Sequence, residues 1–351
     1  MATKIEADIL YVTHRFHPHT GGVERHVYEL SRRVAKKAEV AVLTADLKPG
    51  LSEFEEMDGV RVFRFPSISP GNAYYFCPQM YRVIKNSNCG IIHAHNYHAL
   101  PAYIAFKARN RRIPFILTPH YHGKGSSRTR NTLFKLYDIT ARKAIKESDV
   151  LVCVSEHEKR EIAHRYGVNP VVIPNGIDIE QIRKIDADCK SGDYVLYVGR
   201  LEKYKNVHVL IEAAKLGNFT LVIAGTGSYE EKLKRLARSY KLRVKFLGYV
   251  DEKEKIRLMK CCKVFANLSS IEAFGITALE ALACGKPVII NRNSGLSELL
   301  KFKNVYGINP VPEEFVNVLG RIEPEKIKLR ELRKYDWESI AREHLRMYKK
   351  L

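Results

Sequence analysis

Two glutamates with seven residues between them, Glu272 and Glu280, stand in the run Ser270-Ile-Glu-Ala-Phe-Gly-Ile-Thr-Ala-Leu-Glu-Ala-Leu-Ala-Cys-Gly-Lys-Pro-Val-Ile289. The run reads as a loop, a helix from about Phe274 to Ala283, a glycine stop and a buried strand. Glu272 then precedes the helix and Glu280 lies about two turns into it. A carboxylate accepts hydrogen bonds from several hydroxyls, which suits a sugar and a ribose, and the amides of Phe274, Gly275 and Ile276 suit a phosphate. Glu280 interrupts an apolar run, where an unpaired carboxylate is costly, so the alternative to a ligand role is an internal ion pair. Arg200 and Lys205, in Val198-Gly-Arg-Leu-Glu-Lys-Tyr-Lys-Asn206, follow a strand and precede a helix, a position from which they can hold an anionic leaving group. Gly21-Gly22 ends a loop that runs into a helix over Val23–Val34. Paired glycines there admit a ligand to free amides and the helix dipole, unless the loop is an ordinary strand-to-helix turn.

Two histidines close strands: His95 in Ile91-Ile-His-Ala-His95 and His120 in Leu117-Thr-Pro-His-Tyr-His122. Each is suited to polarise or position a substrate oxygen, although most of the 13 histidines are expected to be surface or capping residues. Asp186-Ala-Asp188 has the spelling of a metal-binding acidic pair but falls in a polar stretch, where a solvated charge pair is expected. Gly225-Thr-Gly227 lacks the third glycine of a dinucleotide fingerprint, Glu230 standing in its place, and no P-loop pattern occurs.

Positioning these groups requires strands that alternate with helices. β-branched runs at Asp8–Thr13, Glu39–Thr44, Val60–Phe65, Gly90–His93, Pro114–Thr118 and Val150–Val154 predict a first parallel sheet covered on both faces. Runs at Tyr194–Val198, Phe219–Ala224, Val244–Leu247, Lys263–Ala266 and Pro287–Ile290 predict a second. Between them, Val171-Val-Ile-Pro-Asn-Gly-Ile-Asp178 and a polar stretch to Asp193 break the pattern. The prediction is α/β: two doubly wound Rossmann-like domains, 1–174 and 193–335, joined by a linker over 175–192 and facing across a cleft lined by strand carboxyl ends.

The chain has 351 residues, 45% of them hydrophobic, enough for two cores. No apolar run approaches the ~18 residues of a membrane-spanning helix, and no secretory leader is evident, so a cytoplasmic protein is expected. Seven cysteines form an odd set without CxxC spacing, which fits a reducing compartment and gives no zinc site. Fifty-nine Lys plus Arg against 39 Asp plus Glu leave +20, so an anionic partner is expected. Between Pro101 and Lys146, eleven basic residues face one acid, Asp138, either as a solvated helix surface or as an anionic contact surface. No helix-turn-helix, zinc-finger or RNA-binding signature supports a specific nucleic-acid partner.

Taken in order, Gly21-Gly22-Val-Glu24, Ile91–His95, Thr118-Pro-His120, Val154-Ser-Glu156, Ile173–Asp178, Val198-Gly-Arg200 with Lys205, the Glu272/Glu280 pair and Cys284–Ile289 resemble the family 4 retaining glycosyltransferases of the GT-B fold. The resemblance spans nearly the whole chain. It implies that Glu280 holds the ribose of a nucleotide-sugar donor, Glu272 meets the sugar, and Arg200 and Lys205 bind the diphosphate. It further implies that Gly22 approaches that diphosphate, that His120 lies near the donor sugar, and that backbone around Gly248-Tyr-Val250 contacts the base. The closing helix, Asp336 onward, would cross back onto the first domain, and neither a metal nor a cofactor would be needed. Leu268, Ser269, Ala273 and Ser294-Gly-Leu-Ser-Glu298 depart from the family's usual residues near the sugar pocket. The implied reaction moves a hexosyl group from a UDP- or GDP-sugar to a hydroxyl of a glycan or lipid-linked acceptor. A nucleotide-sugar epimerase, or a non-catalytic binder of nucleotide sugar or nucleic acid, is the alternative. The aromatic stretch Ser69–Pro78 and the basic segment Lys124–Lys146 suit a lipid-linked acceptor and peripheral contact with an anionic inner membrane face.

Overall fold

The computed structural model describes residues 4–70, 74–121, 128–189, 192–323 and 329–351, with the side chains of 128–136 and 329 outside that description. Lys124, the side chains of Arg128, Arg130 and Lys135, and residues 71–73 of the aromatic stretch therefore lie outside the described residues. The chain divides into two units, Met1–Gly176 with Trp337–Leu351, and Ile177–Asp336.

In the first unit the strands are β1 (Glu6–Thr13), β2 (Val40–Thr44), β3 (Phe54–Met57), β4 (Val60–Arg64), β5 (Asn88–His95), β6 (Phe115–Thr118), β7 (Val150–Cys153) and β8 (Val171–Val172), in the order β3-β4-β2-β1-β5-β6-β7-β8. All pairs are parallel except β3 with β4, and the register sets Ile9 of β1 between Val40 and Ile91. Alternation along β1 sends Leu10 and Val12 into one core and Ile9 and Tyr11 into another. The helices Gly22–Val34 and Trp337–Tyr348 cover the second of these faces, where Val27, Leu30, Trp337 and Ile340 are fully buried. Gly176 lies flat against Trp337, since a Cβ there would come within 2.4 Å of the indole.

The second unit holds β9 (Tyr194–Val198), β10 (Thr220–Ala224), β11 (Val244–Gly248), β12 (Val264–Asn267), β13 (Val288–Asn291) and β14 (Val305–Ile308), all parallel, in the order β11-β10-β9-β12-β13-β14. The order reverses direction between β9 and β12, the topological switch point where open α/β sheets bind ligands. The expected linker over 175–192 is not a separate segment. Ile177 onward belongs to this unit: Ile177 N donates to Tyr335 O at 2.7 Å, and Asp178 caps a helix, Ile179–Lys184, by accepting from Gln181 N. A single side-chain cap thus starts a helix in a stretch whose polarity suggested none.

One cysteine pair departs from the expected set of thiols. Cys189 and Cys261 form a disulfide, with 72 residues of sequence separation, and Gly192 passes so close to Cys261 O that a Cβ would sit 2.4 Å from it. Tertiary packing selects this pair; nothing in the spacing does. Among the described residues no helix is long and apolar enough to cross a membrane.

Candidate active site

In the second unit the loops at the switch point are sewn together. Asn206 Nδ2 donates to Leu268 O (2.8 Å) and Ser270 Oγ (2.7 Å), and Ser270 N donates to Tyr204 O (2.9 Å), which ties the loop after β9 to the loop after β12. Across that seam Lys205 Nζ pairs with Glu272 Oε2 at 2.6 Å, both side chains being part-exposed. Arg200, exposed at the end of β9, donates to the Tyr204 hydroxyl at 3.1 Å, and Tyr197 OH holds the Arg200 carbonyl at 2.9 Å. The neighbouring loops leave no room for side chains: a Cβ on Gly225 would stand 2.0 Å from Gly199 O. Val250 follows β11, whose Gly248 carbonyl accepts from Gly225 N at 2.6 Å.

The helix bearing Glu280 is Ile276–Ala283, two residues shorter than predicted, so Glu280 is its fifth residue, a little over one turn in. Gly275 stands at the N-cap with φ +91°, a left-handed conformation that ends the helical path before Phe274, and it provides no capping side chain. Glu272 O accepts from Gly295 N at 3.1 Å; a Cβ on Gly295 would lie 2.2 Å from that oxygen, so glycine is required there. Glu280 is fully buried, and Lys255 Nζ reaches its two oxygens at 3.0 and 2.8 Å while also pairing with Glu252. The internal ion pair that the sequence left as the alternative therefore exists.

In the first unit Gly21 is extended and N-caps the helix Gly22–Val34. The two glycines differ: a Cβ on Gly21 would lie 2.2 Å from Glu24 Oε2, whereas one on Gly22 would meet nothing within 4 Å. Glu24 is buried and paired with Arg15 Nη2 at 2.6 Å, so a carboxylate already stands at this helix start, and Gly22 is the more open approach. His95 and His120 are both buried, with His95 Nδ1 and His120 Nε2 3.3 Å apart, and His120 adopts φ +48°, a strained backbone for a non-glycine residue. Asp186 and Asp188 are exposed. In the aromatic stretch, Tyr75 and Cys77 belong to the core while Phe76 stays exposed and pairs backbones with the exposed Ile68 just before the stretch, so only part of it offers an apolar surface.

Residues 20–181 match the sequence pattern of Glycosyltransferase Family 4, and residues 178–336 match that of Glycosyl transferases group 1. The chain belongs to the family 4 glycosyltransferases. This glycosyltransferase is 29% identical over 292 residues to an uncharacterised glycosyltransferase of Methanocaldococcus jannaschii, covering 81% of this chain and 79% of that one. It is 25% identical over 373 residues to a phosphatidylinositol N-acetylglucosaminyltransferase component from Arabidopsis thaliana, covering 97% and 81%. Its fold is that of sucrose-phosphate synthase from Thermosynechococcus elongatus (TM-score 0.81, 19% identity, 98% of each chain). It is equally that of Anabaena HepE in complex with UDP and glucose (TM-score 0.77, 20% identity, 98% and 100%). Two parallel-sheet units of this kind make the glycosyltransferase a GT-B protein.

Two residues of the glycosyltransferase's site regions went unread in the sequence. Lys255 lies in Glu252-Lys-Glu-Lys-Ile-Arg257, which reads as a solvated helix face; its i, i+4 relation to the buried Met259 is the signal that turns it inward. His26, on the helix after Gly21-Gly22, shares the buried face of Val23, Val27 and Leu30 and packs 5.1 Å from the His120 ring.

Proposed function

We propose that the chain is a retaining hexosyltransferase that moves a hexosyl group from a UDP- or GDP-sugar to a hydroxyl of a glycan or lipid-linked acceptor, with no metal at the diphosphate. The observation that carries this reading is the Lys205–Glu272 pair astride the switch point, with Arg200 exposed beside it. Two cations there answer a diphosphate, and the carboxylate that orients Lys205 has a second oxygen for a sugar hydroxyl. On this reading Glu280 takes the ribose hydroxyls, the backbone at Val250 takes the base, and the amides from Phe274 through Gly275 to Ile276 take phosphate oxygens. In the first unit, Gly22, with Gly21 behind it, serves the diphosphate and His120 serves the sugar.

The chemistry needs no protein nucleophile. As the nucleoside diphosphate departs, Arg200 and Lys205 meet the charge that grows on it, and the acceptor hydroxyl attacks the face the leaving group vacates, giving its proton to the departing phosphate oxygen. Contacts that strengthen only in the transition state are typically worth ~2.7–4 kcal/mol, or ~10²–10³ in rate. Arg200→Ala and Lys205→Ala are each expected to lose turnover on that scale.

The lipid-linked acceptor rests on three observations. Ile68 and Phe76 are exposed side by side, Lys107, Arg111, Arg112, Arg142, Lys143 and Lys146 are exposed, and the Arabidopsis relative's name specifies phosphatidylinositol. These residues are proposed to meet an anionic cytoplasmic membrane face, and sedimentation with anionic vesicles at low salt tests it: protein left in the supernatant removes the membrane part. The donor reading is tested by calorimetry with UDP, GDP and their sugar nucleotides on wild type, Glu280→Gln and Arg200→Ala. One nucleotide is expected to bind wild type and to be lost in both variants. Failure of every nucleotide to bind wild type would overturn the assignment.

A further inference from the structure

The first unit brings His26, His95 and His120 into a compact triangle, with ring centroids 5.1, 5.3 and 5.6 Å apart. One nitrogen from each ring lies within 4.8 Å of the others, and these are the residues, among those described, that gather three metal-binding side chains. We infer that His26, His95 and His120 form a binding site for one divalent transition-metal ion of the zinc type, with a fourth position open to water or an anion.

Four features support the inference. Tetrahedral zinc with Zn–N bonds near 2.0–2.1 Å holds its nitrogens roughly 3.3–3.4 Å apart, and His95 Nδ1 and His120 Nε2 already stand at 3.3 Å. Asn175 Oδ1 lies 2.6 Å from His26 Nδ1, so that nitrogen carries the proton and donates it, which leaves the lone pair on Nε2. Such an outer hydrogen bond is the usual way a ligating histidine is oriented. Among the described residues His26 Nε2 has no hydrogen-bond partner, and His26 is wholly buried, where an unpaired nitrogen is costly. Finally, His120 is aimed into the cluster by a left-handed backbone that a histidine seldom adopts without a return. The adjoining rings are already engaged. His93 contacts the Tyr348 hydroxyl at 2.7 Å and Thr118 Oγ1 at 2.8 Å, and His344 Nδ1 meets Ile340 O at 3.1 Å, so neither is needed as a ligand. Imidazole-only sites suit zinc, copper and nickel, and disfavour magnesium and calcium.

Because His120 also has a role in the proposed function, the test reads metal directly. Untagged, chelator-stripped protein is titrated with Co²⁺ and followed by visible absorption, then challenged with Zn²⁺. One equivalent of Co²⁺ is expected to bind with the spectrum of a four-coordinate ion and to be displaced by Zn²⁺. His26→Phe and His95→Phe, which keep ring volume, should abolish the signal, while His344→Phe should retain it. Asn175→Leu should weaken binding by about 10–100-fold, and it carries the test if the phenylalanine variants do not fold. A folded wild type that takes up no cobalt, an Asn175→Leu affinity equal to wild type, or an equal loss in His344→Phe would each overturn the site.

Discussion

At the carboxyl ends of its strands the first unit packs His26, His93, His95, His120 and His344 ring against ring, whereas the second unit buries Glu280 against Lys255. Both arrangements hide polar groups from water, and they solve the problem differently. Burial holds the His26 and His344 imidazoles down at about 4 and about 3, and holds His93 and His95 well below the usual range, so the first unit stores neutral rings. The second stores opposite charges whose desolvation is offset only while both partners are present. The neutral cluster should therefore answer to pH, and the charged pair to the loss of either member.

The largest effect is expected from Lys255→Met, which removes the cation paired with the buried Glu280 carboxylate and should cost about 3–5 kcal/mol. Lys255→Met combined with Glu280→Leu should recover most of that loss in urea unfolding. If the single variant is as stable as wild type, the second unit does not depend on the pair.

Acid should act mainly on the first unit. Below about pH 6.5 the unfolded chain takes up imidazole protons that the folded histidines refuse until roughly pH 4 or lower. Stability is therefore full above that range and falls with falling pH, by up to about 1.4 kcal/mol per pH unit for each such proton. Trp337 is the single tryptophan and its ring lies 5.6 Å from His26, so its fluorescence in urea follows this unit alone. Equal midpoints at pH 7 and pH 5 would erase the contrast between the units.

The smallest effect concerns the second unit's other pair. Lys205 and Glu272 are part-exposed, so Lys205→Ala should change stability by under about 1 kcal/mol even as turnover falls. Loss of fold rather than of rate in this variant would make the pair structural and weaken its role at the diphosphate.

Much of this was legible in the sequence because fully buried parallel strands announce themselves as β-branched runs: β1, β9 and β12 fall within two residues of the positions read. The strands that escaped were β3, β8 and β14. Phe54-Glu-Glu-Met57 is an antiparallel edge with an exposed phenylalanine, β8 has two residues, and β14 carries a glycine, so none shows the apolar run. At the site, Arg200, Lys205, Glu272 and Glu280 could be read because each stands out beside a strand or in an apolar helix. Lys255 and Asn175 could not, because what each does depends on a partner 25 or 149 residues away.

The helix Trp337–Tyr348 belongs to the first unit, where Trp337 is wholly buried and Tyr348 OH meets Tyr11 OH at 2.9 Å. A ribosome making about 5–20 residues per second needs roughly 8–30 s to deliver the intervening Ile177–Asp336. During that time the second unit can fold to completion while the older one waits with the bed for its last helix uncovered. The half whose synthesis begins first is thus closed only when its distant last helix arrives.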